Sequence, residues 1–91
     1  MDFEKFKLEL ILKGFKLDHQ AYDSGSSTKQ FYARIVPMDL VYYDADEEIA
    51  DRNKRLGLLS ETGHWIYFSW GQTEQEAINN VYLTWTMKKK S

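Results

Sequence analysis

His64-Trp65-Ile66-Tyr67-Phe68-Ser69-Trp70 reads as a β-strand that carries large rings toward both faces of whatever sheet it joins. Side chains alternate along a strand, so Ile66, Phe68 and Trp70 share one side while Trp65 and Tyr67 share the other. Only one face of a small sheet is needed to cover an ordinary core, so the second ring-bearing side calls for a partner, internal or external.

Working outward, the Glu61-Thr62-Gly63 turn leads into this strand and a helix follows it. Thr73-Glu74-Gln75-Glu76 has the spacing of a capping box. Beyond it, Ala77, Ile78, Val81, Tyr82 and Trp85 recur as one continuous helical face suited to burial. Upstream, residues 44 to 57 run from acids to bases and end on Gly57, which fits a short helix lying loosely on the domain or an exposed excursion. Leu40-Val41-Tyr42-Tyr43 has the β-branched and aromatic character of a short strand.

Further upstream, Gln30 to Val36 and Phe15 to Ala21 alternate as a pair of strands across the turn-forming Asp23-Ser24-Gly25-Ser26-Ser27, with Pro37 closing the second. Residues 2 to 13 place Phe3, Phe6 and Leu10 on one helical stripe, with Gly14 as the stop. Leu8 with Leu12, and Leu83 with Met87, form secondary stripes, expected to be used by the two helices against each other. The fold expected is α+β: a small antiparallel sheet of three to four strands with N- and C-terminal helices packed on one face.

Residues 1–91 leave room for one domain and no second. Fourteen aromatics and 43% apolar residues argue for a packed core and against disorder. The absence of cysteine removes disulfides, thiolate metal sites and cysteine nucleophiles and is compatible with a reducing compartment. Met1-Asp2-Phe3-Glu4-Lys5 alternates charge and lacks the apolar run of a signal peptide, so a soluble, cytoplasmic protein with no membrane association is expected.

The net charge of −2 is unevenly laid out: Lys88, Lys89 and Lys90 form a basic tail, and residues 39 to 51 hold six acids and no base. Such a body is a poor general binder of phosphate backbone, and the lysines suit the negative pole of a helix C-terminus. His19 and His64 titrate in the range of general acid-base work, but no spacing joins them to a nucleophile and an orienting group, so the expectation is a protein without enzymatic activity. Asp44-x-Asp46-Glu47-Glu48 offers hard oxygens, yet a calcium loop would need Asp or Asn at 48, Gly at 49 and Glu at 55, where Glu48, Ile49 and Arg55 stand. The five glycines are isolated and make no phosphate-binding loop, so no cofactor is expected.

What remains is the aromatic set. Tyr32, Arg34, Tyr43, Trp65 and Tyr67 are candidates for a shared sheet face, and Trp, Tyr and Arg are the residue types that dominate protein interfaces. Asp44, Asp46, Glu47 and Glu48 add a negative field that would steer the domain toward a basic partner, such as a nucleic-acid-binding protein. The expected function is protein binding, as an inhibitor or adaptor, with a homodimer as an alternative use of the rings. The runner-up is a single-stranded nucleic-acid-binding or antitoxin-like module, since bare rings also stack bases.

The opening Gly71-x-Thr73-x-x-Glu76-Ala77 resembles the start of the last helix in small antitoxin domains with a three-stranded sheet, over the cap alone. Small size, an acidic segment and no catalytic set are similar in character to phage-encoded inhibitors of host defence nucleases, the anti-CRISPR type included. Neither likeness assigns the chain to a family.

Overall fold

Asp2 starts the first helix by accepting a hydrogen bond from the Lys5 amide on its side-chain oxygen at 3.1 Å, which satisfies one of the otherwise orphaned amides of the first turn. A computed structural model describes residues 2–22, 30–39 and 47–89, with Glu47 and Lys89 as backbone only. Helix α1 (Phe3–Leu12) stops at Gly14, whose positive φ of 81° lets the Lys13 and Gly14 amides bond back to Leu10 and Ile11. The Gly14 carbonyl then accepts from Met38 at 2.9 Å, tying the helix end to the sheet.

The order continues β1 (Phe15–Tyr22), β2 (Gln30–Pro37), α2 (Glu47–Arg55), β3 (Phe68–Gly71) and α3 (Glu74–Lys89). The three strands form one antiparallel sheet in the order β1-β2-β3. The α+β architecture read from the sequence is the one observed, with α1 and α3 on one sheet face. Leu40 to Tyr43, expected as a strand, lies outside the described residues, as do Asp44 and Asp46.

Register explains which side is buried. Leu17 faces Ile35 across the β1–β2 pair, His19 faces Ala33, and Ala33 in turn faces Ser69 of β3, so these residues share the helix side. There Phe15, Ala33 and Ile35 pack with Phe6 and Leu10 of α1 and with Ala77, Ile78, Val81 and Trp85 of α3. Each large side chain so buried contributes about 1.5–3 kcal/mol. The two helices meet through Phe6 against Tyr82, at 5.0 Å between ring centroids, and through the Trp85 indole N–H donating to Glu9 at 3.4 Å. Thr73 accepts from the Glu76 amide at 3.1 Å, as the capping spacing anticipates.

Two expectations need correcting. Leu8, Leu12, Leu83 and Met87 do not cover one another; all four are well exposed, because Phe6, Glu9, Tyr82 and Trp85 already fill the contact between the helices. The ring-rich run is also not one strand from 64 to 70. Its first half pairs locally instead: Ser60 and Leu58 exchange backbone bonds with His64 and Ile66, Leu59 bridges Trp65, and the chain joins β2 only where the Ile35 amide reaches the Tyr67 carbonyl.

Candidate functional site

The late entry of this segment into the sheet decides where its rings go. Gly71 pairs with Phe31 and Ser69 with Ala33, so the odd-numbered residues of β3 point to the helices. Gly71 lies so near α3 that a Cβ there would stand 2.5 Å from the Ala77 amide nitrogen, and only the smallest residue fits. Tyr67, expected on the outward face, therefore turns inward, its ring 5.1 Å from that of Trp85, and burial pushes its phenol pKa up. Phe68 and Trp70 take the outward positions.

On that face the register lines up Gln20, Tyr32 and Trp70 in one row and Asp18, Arg34 and Phe68 in the next. Tyr32 stacks on Phe68 with centroids 5.6 Å apart and planes 12° from parallel. Trp70 meets both rings edge-on at 5.8 and 5.4 Å, and Tyr22 meets Trp70 at 5.6 Å. These offset and edge-to-face arrangements are the favourable ones for ring quadrupoles. Four rings thus make one connected surface in which Trp70 is 47% and Tyr22 50% exposed.

Arg34 forms the border of this surface. Its guanidinium donates to Asp18 at 2.7 Å from the directly opposite β1 position, and its flat group lies 5.3 Å from the Trp65 ring centroid and 5.8 Å from that of Tyr32. Trp65 thereby meets the Arg34 border although it lies outside β3, where the alternation of a regular strand does not apply, and it is half-buried against the core as well. A cation so engaged by a carboxylate and two rings fixes the rings more than it offers charge to a phosphate.

The acidic segment is only partly visible. Glu47 begins α2, and Glu48 is exposed on it, beside an open, charged cavity of about 800 Å³ whose described lining includes Asp51, Arg52, Lys54, Arg55 and Glu61. Tyr43, Asp44 and Asp46 lie outside the described residues. Arg52 grips Asp39 through two bonds of 2.9 Å, which hold the Asp39 carboxyl below its ordinary range. Because the folded-state pKa is lowered, the pair stabilises the fold above the usual Asp range, and the contribution disappears as pH falls through that depressed value. Asp39→Asn should accordingly be less stable at neutral pH yet flatter in its acid loss as pH falls below the ordinary Asp range of about 4, measured by thermal midpoints across that fall.

The two histidines have separate local partners. His19 contacts Glu74 at the start of α3, and His64 bonds Thr62 at 3.2 Å within the turn before Trp65. Among the described residues no three His, Asp or Glu side chains are grouped as metal ligands, and no helix is long and apolar enough to cross a membrane. The chain matches no protein-family model, no curated protein and no solved structure.

Sequence reasoning missed Tyr22, Phe68, Trp70 and Asp18 as members of this surface. Tyr22 and Trp70 carried a signal, being large rings at strand ends. Asp18 carried none, because its importance depends on a register with Arg34 across a loop.

Proposed function

We propose that this is a non-enzymatic domain that binds a protein partner through the Tyr22, Tyr32, Phe68 and Trp70 face, acting as an inhibitor or adaptor. The observation that carries the reading is a connected four-ring surface on the side of the sheet opposite the helices, with its neighbouring cation already neutralised by Asp18. Large, rigid rings supply contact area at low rotamer cost, and such residues form the centre of protein interfaces. The six acids between residues 39 and 51 support a basic partner, with a nucleic-acid-binding protein as the chemical class, because a negative field speeds encounter with a positive surface. A cytoplasmic setting is in keeping with a chain without cysteine.

The test is light scattering on the purified chain, alone and after passage over lysate, for wild type, Trp70→Ala and Tyr22→Ala. The expected result is a defined basic protein retained by the wild type and lost, by about tenfold or more in affinity, with Trp70→Ala. Equal retention by the variant removes the ring face from the mechanism. A wild-type dimer that Trp70→Ala dissociates assigns the same face to self-association. Gel shifts of labelled single strands that weaken steeply with salt would favour the nucleic-acid reading instead.

Charge reversal at Asp46, Glu47 and Glu48 to lysine is expected to weaken partner binding most at low ionic strength, where screening is least. Its readout is the association rate at two salt concentrations; a rate that does not move removes the acids from steering.

A further inference from the structure

A second feature lies on the helix side of the sheet, away from the ring face. Between the start of β1, the segment before β3 and the C-terminal half of α3 is a cavity of about 410 Å³, lined among the described residues by Lys13, Phe15, Leu56, Gly57, Tyr67 and Trp85. Small-molecule sites occupy about 300–1,000 Å³ and combine apolar walls with a few polar groups. Three rings form the walls here: Trp85 stands edge-on to Phe15 at 6.3 Å and to Tyr67 at 5.1 Å. Phe15 and Trp85 are themselves buried, and the Trp85 indole N–H is directed to Glu9, so these walls are set by the core and do not depend on a ligand.

The charge at the cavity is one-sided. Lys13 is exposed on the turn after α1, with its ammonium 5.4 Å from the Trp85 ring centroid, and no described lining residue is acidic. Leu56, 45% exposed, adds apolar surface beside it. A phosphorylated ligand would want several donors or a backbone nest, and a neutral one would make no use of the ammonium at the rim. A flat apolar body with a single carboxylate meets both demands.

We propose that this cavity is a binding site for a small aromatic or short-chain monocarboxylate, its apolar body laid over Leu56, Tyr67 and the open edges of Phe15 and Trp85 and its carboxylate on Lys13. The site is independent of the protein-binding face and stands or falls apart from it.

The test is an amide NMR titration with 2-naphthoate and with the neutral 2-naphthalenemethanol. Naphthoate is expected to give saturable shifts at Phe15, Gly57, Tyr67 and the Trp85 indole, with about tenfold preference over the alcohol, because hydrogen bonds to charged groups are the stronger ones. Lys13→Glu should abolish that preference and Lys13→Arg should restore it. The proposal is overturned if the wild type shows no saturable shift at these positions, if shifts fall on Tyr22, Tyr32 and Trp70 instead, or if acid and alcohol bind alike. The wild-type comparison decides the matter even where a variant is poorly folded.

Discussion

Arg34→Ala is expected to lower the stability of the domain by about 3–5 kcal/mol, the range found when one partner of a buried ion pair is removed. Asp18 is 9% exposed, and its carboxylate accepts the Arg34 bond at 2.7 Å, so the variant leaves a charge out of water with its strongest partner gone. The loss also takes away the flat group beside the rings of Tyr32 and Trp65. Urea unfolding measures the change directly, and the thermal midpoint should fall by about 4–8 °C per kcal/mol in a domain of this size. The paired replacement Asp18→Leu with Arg34→Met should recover most of the stability, since an apolar pair of similar volume carries no desolvation cost. If the single variant is as stable as the wild type, water reaches Asp18 and the pair is ornamental.

Gly71→Ala is the second large effect expected. The added methyl would stand 2.5 Å from the Ala77 amide nitrogen and 3.0 Å from the Thr73 carbonyl oxygen, both backbone atoms at the entry of α3. Neither can swing aside as a side-chain tip would, so β3 and α3 must separate. Overpacking of this kind costs about 1–3 kcal/mol and occasionally more. Gly57→Ala serves as the comparison, because no atom lies within 4 Å of its added methyl and only its positive φ of 78° resists. The crowded position should lose more stability than the open one, and amide shifts should move at Thr73 to Ala77 and through Trp70. Equal losses at the two sites would mean that the start of α3 yields to the methyl and that the close approach does not keep glycine at 71.

These two residues also mark where the sequence is legible and where it is not. The helices could be read because their signals are local: Asp2 before Phe3, Gly14 after Leu12, and the Ala77-to-Trp85 face all lie within a few turns. The β1–β2 pair was legible for the same reason, the alternation from Phe15 to Ala21 and the aromatic and β-branched run from Phe31 to Val36 lying on either side of a turn-forming stretch. The ring-rich segment failed because rings on both sides make the alternation uninformative about which side is inward. The small residues decide it, Ser69 opposite Ala33 and Gly71 against α3, and their meaning emerges only once the helix is in place. Asp18 and Arg34 are sixteen residues apart, so no local pattern joins them. The candidate surface was thus half visible: Tyr32, Arg34 and Trp65 could be picked out by residue type, whereas Tyr67 needed the register to be moved inward.

The placement of the three tryptophans has a practical consequence. Trp85 is sealed among rings, Trp65 lies beside a guanidinium, and Trp70 stands half in water. Their indoles should therefore emit at different wavelengths, with Trp70 the reddest and the first to be quenched by acrylamide. Intrinsic fluorescence can then distinguish an event at the outward face from one in the core, without attaching a dye to either.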